Sequence, residues 1–431
     1  MFASLVLLWV FIWIAILHFK SRRPKNFPPG PLNVPLLGSI FHLSLENPLK
    51  DFEKLRKSYG DVYSIFLGRE PAVVINGVKA MKEAMVTKAA DFAGRPQGLF
   101  VNELVDGKGV IMADYGSKWR EQRRFGLTTL RNFGLGKNSM EERIHDEIKH
   151  IISTLEKNIG KTMSPRVMFH NAASNIICQV LFARRYTYDD ELIKLFVGIF
   201  NEVSKIINGP WATLYDSFPI IRNLPLPFQK AFKKMENLSR RMVSEHRETR
   251  VPGEPRDFLD CYLDELEKVI YSVSCYTKSS FSEEELIIYL LNLHFAGTDT
   301  TSNTLLTGFL YLMNYPHIQG NTTPPCLVYV IFVMQAVIHE VQRMTNIVPL
   351  SIFHRTTKDT ELMAYSIGTI VIPNLSSVLF EEGHGEFVRP GAFIKLPFIC
   401  GQEDGVLRLA VWVGSCIHKL YVCNPHTHNN F

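Results

Sequence analysis

Apolar residues fill positions 2–17 apart from Ser4 (FASLVLLWVFIWIAIL), His18 and Phe19 extend the run, and Lys20, Arg22, Arg23 and Lys25 close it. That length is near the minimum for a membrane span. A cleavable signal peptide would carry positive charge before the run and a small-residue site after it. The pattern instead predicts a signal anchor over residues 1–20, with the basic flank keeping the rest of the chain cytoplasmic. Residues 21–38 are basic and rich in proline (Pro28, Pro29, Pro31, Pro35), which stiffens a linker between membrane and body. Residues 48–59 have the period of an amphipathic helix. Asp61–Leu67 and Pro71–Ile75 read as a hairpin of strands, and Lys79–Ala89 as a helix. The glycine-rich stretch 93–116 reads as a loop. Helical spacing returns in 140–158, 189–207 and 228–250. Between the last two, SFPIIRNLPLPF is apolar and broken by prolines. It suits either a segment dipping into the membrane interface or a helix connection packed on the body.

Leu286–Tyr315 is helical in pattern and apolar on nearly every face, which places it inside a large core. Ser282 with Glu285 forms a capping box at its start, and Pro316 ends it. Such a helix is ~50 Å long. Within it stand Gly297, Asp299, Thr300 and Thr301. A mid-helix glycine costs ~1 kcal/mol relative to alanine, a buried acid needs a hydrogen-bonded partner, and threonine hydroxyls bonded one turn back bend a helix. Two readings fit: a satisfied polar kink, or a groove where a flat ligand crosses the helix while Asp299 and Thr300 manage protons. Beyond it, the apolar run 326–334 is too short to span a membrane and reads as a strand or a core segment. Glu340 and Arg343, three apart, share a helical face as an ion pair.

With 46% hydrophobic and 21% charged residues in 431, the chain can bury a substantial core and is not disordered. The net charge of +5 suggests an acidic partner or an anionic membrane rather than nucleic acid. Seven scattered cysteines, without metal-type spacing, fit a reducing compartment. The basic cluster Lys118, Arg120, Arg123 and Arg124 surrounds Trp119. Trp119 and Arg123, four apart, put an indole donor beside a guanidinium, either as a clamp for a carboxylate or as part of a basic surface face.

Ala296-Gly297-Thr298-Asp299-Thr300-Thr301 matches [AG]-G-x-[DE]-T-[TS], the pattern of the oxygen-activating helix of the cytochrome P-450 monooxygenases. Residues 28–38 match P-P-G-P-x-x-x-P-x-x-G, which resembles the microsomal members. The chain is similar to family 2, most like its subfamily J. The resemblance implies a mainly α fold with a small β region, residues 39–398, behind an N-terminal transmembrane helix in the endoplasmic reticulum membrane, facing the cytoplasm. It implies haem (heme b), an NADPH-dependent flavoprotein reductase with cytochrome b5 as a second electron partner, and insertion of one oxygen atom from O2 into lipophilic substrates such as arachidonate and xenobiotics. By the same resemblance Thr300 and Asp299 deliver protons, and Ala296 and Gly297 leave room above the haem. Trp119, Arg123 and His354 hold its propionates, and Glu340–Arg343 is structural.

Three stretches depart from the family. Residues 320–335 replace a polar helical stretch and shorten the interval from Asp299 to Glu340. After Leu379 the arginine that braces the Glu-Arg pair is missing. The ligand loop F-x-x-G-x-R-x-C-x-G keeps Phe398 and Gly401, but Glu403, Gly405 and Leu407 occupy its arginine, cysteine and last glycine places. Cys400 lies five positions early and is the nearest candidate for the iron, whose ligand is otherwise unassigned. Residues 399–431 change character as another reading frame or an unspliced segment would. These departures carry an alternative reading, a non-catalytic membrane-tethered variant.

Overall fold

The computed structural model describes residues 9, 11–12, 23, 25–34, 37–44, 47–134, 138–207, 209–217, 227–271, 279–321 and 327–380. Of the expected anchor only residues 9, 11 and 12 fall in this set; Trp9 and Phe11 are exposed on a helical turn. The remainder of the anchor, residues 218–226 of the apolar loop, and Cys400 with the whole of 399–431 lie outside the described residues. Among those described, no helix is long and apolar enough to cross a membrane.

The chain is mainly helical with a small sheet region. Helix α1 (Pro48–Tyr59) is capped by Asn47 and leads into strands β1 (Val62–Leu67) and β2 (Glu70–Ile75). Helix α2 (Gly77–Lys82) runs on into a π turn at Glu83–Thr87. There follow α3 (Phe100–Leu104), α4 (Ser117–Asn132), α5 (Asn138–Lys157), α6 (Pro165–Phe182), α7 (Glu191–Ile207), α8 (Pro210–Ser217), α9 (Pro227–Thr249) and α10 (Phe258–Tyr271). Helix α11 (Glu283–Asn314) is the long one, followed by α12 (Pro316–Asn321) and α13 (Leu327–Thr345). Short strands β3 (His354–Arg355), β4 (Thr360–Leu362), β5 (Tyr365–Ile367) and β6 (Ile370–Pro373) precede α14 (Leu375–Leu379).

One sheet runs β1-β2-β6-β3. Its outer pairs are antiparallel, and β6, from near the end of the described chain, lies parallel to β2. Alternation decides its faces. Tyr63, Ile65, Ala72 and Val74 pack with α1, while Val62, Val73 and Ile75 pack with α2 and the β4–β5 hairpin. The larger core gathers α6, α9 and α10 around α11, with Ile177, Phe258, Tyr262 and Tyr289 all buried. Helix α6 packs along α11 and is buried on almost every face. Gly126 of α4 permits a close approach to α11, since a Cβ there would sit 1.7 Å from the Tyr289 hydroxyl.

Three expectations are corrected. Of the two readings of 326–334, strand or core segment, the strand is excluded: from Leu327 the chain is helical and continuous with Glu340 and Arg343 in α13. Its Val and Ile residues favour strands locally, but one unbroken helix keeps every backbone group paired. The stretch 93–116 contains α3 rather than loop alone. The capping box is only half formed. Ser282 Oγ accepts from the Glu285 amide (3.1 Å), but the Glu285 carboxylate turns away and accepts from the Gly109 amide (2.9 Å).

Candidate functional site

The polar turn of α11 lies where the helix is otherwise apolar, and its carbonyls collect extra donors. Thr300 Oγ1 donates to the Ala296 carbonyl (2.7 Å) and Thr304 Oγ1 to that of Thr300 (2.8 Å). The Asp299 carbonyl accepts from both Ser302 Oγ and Asn303 Nδ2. Side-chain donors on successive carbonyls are the mechanism by which threonine and serine bend a helix. Ala296 and Gly297 are buried and small, so the backbone there is open to close approach. The Asp299 side chain keeps 18% of its exposure, and one carboxylate oxygen faces His170 of α6 at 3.7 Å. Thr300, the next residue, is likewise partly buried, with its hydroxyl on the Ala296 carbonyl.

A second group of residues is built around the loop 109–111. Asn292 Oδ1 of α11 accepts from the Val110 and Ile111 amides (3.0 and 3.1 Å). The carbonyls on the same loop take donors from elsewhere: Trp119 Nε1 donates to Val110 (3.0 Å) and Arg95 Nε to Ile111 (2.9 Å). Burial raises the Glu285 carboxyl above its ordinary range, against the Gly109 amide bonded to it. Trp119 and Arg123 come together as their spacing requires, with the guanidinium 5.1 Å from the indole centroid and both side chains buried. The indole N–H, however, is committed to Val110, so the expected two-donor clamp is not preassembled; Arg123 supplies its charge.

His354, expected as a basic contact, sits where the charged form of the ring is disfavoured. Burial, and then the neighbouring Arg95 charge, push its pKa down to about 3. Its Nδ1 donates to the Phe92 carbonyl (2.7 Å), and its buried Nε2 has no partner. The cation at this edge is Arg95, whose Nη1 stands 3.0 Å from His354 Nδ1. Loop 93–96 is tied to β3, the Arg355 amide donating to the Gly94 carbonyl (2.8 Å), which places Arg95 beside His354. A lone arginine between Gly94 and Pro96 has no periodicity to mark it, so sequence patterning passed it over.

Glu340 and Arg343 pair bidentately, both contacts 2.7 Å. Arg343 also donates to the Leu379 carbonyl (3.4 Å) and stacks on Phe380 (5.0 Å), tying α13 to α14.

These residues fit haem on two sides. A small-residue turn with a hydroxyl offers a flat face. Buried Arg95 and Arg123, with the unpartnered His354 nitrogen, offer a basic, polar edge for carboxylates. Among the described residues, neither cysteine suits the axial place. Cys178 is sealed in α6, its thiol pushed up by burial to about 12. Cys261 stands on α10, raised by burial and then by Asp264 to about 11. Thiols so raised are poor thiolate donors.

The Cytochrome P450 family profile matches residues 28–322 and 330–393. Cytochrome P450 2J2 of Homo sapiens is 38% identical over 434 residues, covering 93% of this chain and 85% of the relative. Cytochrome P450 2J1 of Oryctolagus cuniculus is 37% identical over 428 residues (90% and 84%). Cytochrome P450 2B4 of the same organism is 34% identical over 443 residues (96% and 88%). The match breaks between 322 and 330 and stops at 393, short of the place where the family's ligand cysteine would stand. The profile and these relatives make the chain a member of the cytochrome P450 family, the haem monooxygenases.

Proposed function

We propose that this chain serves the monooxygenation of lipophilic substrates, polyunsaturated fatty acids such as arachidonate and xenobiotics, at the endoplasmic reticulum membrane. The body faces the cytoplasm, and electrons come from an NADPH-dependent flavoprotein reductase, with cytochrome b5 as a second donor. The observation that carries this reading is the α11 turn, where Thr300 Oγ1 bonds the Ala296 carbonyl and Asp299, with 18% of its side chain exposed, stands beside it. When bound, haem supplies the redox centre at which one atom of O2 is inserted into the substrate. The protein's part is positioning and proton management. Ala296 and Gly297 keep the backbone face low, Asp299 takes a proton from the solvent side, and Thr300 holds a proton at Oγ1 beside the reacting atoms. Arg95 and Arg123 neutralise the propionates, His354 lines that edge, and Glu340–Arg343 fixes α13. The basic face around Lys118, Arg120 and Arg124 supports docking of an acidic flavoprotein.

The test is reconstitution of the full chain with reductase, NADPH and arachidonate, followed by mass spectrometry. Oxygenated products, with Thr300→Ala diverting reducing equivalents to peroxide by about 10-fold or more, support the reading; no product with haem bound overturns it. A second reading, a non-catalytic tethered variant, is favoured by Gly405 at the ligand cysteine's place. It predicts membrane attachment without turnover.

A further inference from the structure

We infer that His170 of α6 is the positioning residue for the Asp299 carboxylate, an inference that rests on the proton role given to Asp299 above. His170 is buried, and its Nδ1 donates to the Arg166 carbonyl one turn earlier on α6 (2.9 Å). That bond fixes the ring and leaves Nε2 as the nitrogen presented to α11. Nε2 stands 3.7 Å from Asp299 Oδ1 and has no hydrogen-bond partner of its own. A buried ring nitrogen without a partner is costly; with Nδ1–H given to Arg166, the contact becomes a hydrogen bond when Nε2 also carries a proton, which it would donate to Asp299 Oδ1. A sub-ångström rotation of the Asp299 side chain closes the gap.

The same helix pair makes a second polar contact near it, Ser174 Oγ to His294 Nε2 at 2.8 Å, so α6 presents polar groups to α11 on successive turns. In this arrangement one Asp299 oxygen is held against α6 while the side chain keeps its solvent side. A relay acid needs that division. An unheld Asp299 would rotate freely into solvent and lose its bearing on Thr300. The charged groups near the ring are Asp299 across the interface and Arg166, which is exposed one turn back on α6.

The contact is read without haem turnover. In the full chain, labelled with 15N at the imidazole nitrogens, the His170 signals are those lost in His170→Gln. Asp299→Asn should move the His170 Nε2 resonance and leave Nδ1, and the rings of His145 and His150 on α5, in place. An unmoved Nε2 signal overturns the inference. A thermal-unfolding cycle gives the second readout. Asp299→Asn should shift the midpoint in the parent and in His170→Gln, whose amide still reaches the carboxylate, and have no effect in His170→Leu. Strict additivity in His170→Leu also overturns it. Should both contact readouts succeed while Asp299→Asn leaves the product-to-peroxide ratio unchanged, the proton role of Asp299 fails and the positioning contact stands.

Discussion

His246 of α9 has both ring nitrogens facing oxygen acceptors, Nδ1 at 3.0 Å from the Met242 carbonyl and Nε2 at 3.0 Å from Asp257 Oδ2. Both contacts are made when the ring carries two protons. Asp260 lies close enough to complete an ion-sized cluster with them, but a doubly protonated imidazole has no lone pair for a metal. Burial alone would lower the His246 pKa; the Asp257 bond and charge and the Met242 carbonyl outweigh it, and the pKa is raised. A raised folded pKa adds stability that is fully present below the unfolded value of ~6.5 and disappears as pH climbs through the folded value. Unfolding midpoints measured from pH 6 upward should therefore fall in the parent and be flatter in His246→Gln; parallel curves would refute the assignment. Gly126 makes a separate case. The Cβ of Gly126→Ala would meet the Tyr289 hydroxyl, which donates to the Gln122 carbonyl (3.0 Å). The substitution should cost ~1–3 kcal/mol by overpacking, part of it recovered when Tyr289→Phe is added. Full stability of Gly126→Ala by chemical denaturation would show that α4 can back away from α11.

Helix α13 is an element whose local sequence and final state disagree. Val328, Val330, Ile331 and Val333 crowd its first half with β-branched residues. A window of that length reads as a strand, and only continuity with the Glu340–Arg343 face makes it helical. Helix α6 escaped patterning for the opposite reason: with apolar and polar residues alike buried around it, it has no stripe to give a period. The long helix α11 and the β1–β2 hairpin were legible because length, caps and alternation all agree there. In the site, the α11 turn and the Trp119–Arg123 pair could be read from spacing. Arg95, Asn292 and the turn of Glu285 toward Gly109 depend on loop contacts distant in sequence, which no local pattern encodes. Arg343→Lys tests what α13 owes to its ion pair. The fork to Glu340 and the reach to the Leu379 carbonyl need a planar guanidinium. With both pair members mostly buried, the substitution should cost ~1–3 kcal/mol in urea unfolding. A loss below ~0.5 kcal/mol would class the pair with ordinary surface contacts.

At the scale of the whole molecule, neither described cysteine is a ready thiolate, and the nearest counterpart of the family's ligand loop lies at residues 398–407. Thiolate ligation needs a cysteine fixed on a loop, because ligand orientation and hydrogen bonds around the sulfur tune the metal. The chain offers Cys400 within Pro397-Phe398-Ile399-Cys400-Gly401, with Glu403 and Leu407 where an arginine and a glycine belong. A displacement of five positions exceeds what side-chain rotation absorbs, since each residue of extended chain spans ~3.3–3.6 Å. Glu403 also brings a negative charge to the place of a cation, which disfavours both a thiolate and a propionate nearby. On the non-catalytic reading, the expected result is haem held loosely or through a ligand other than thiolate, with negligible turnover. The absorbance of the reduced carbon monoxide complex decides it, and the red-shifted Soret band of thiolate ligation should be missing. A stoichiometric band that disappears in Cys400→Ser and survives in Cys416→Ser would reverse this expectation, make Cys400 the ligand, and remove the main support for a non-catalytic variant.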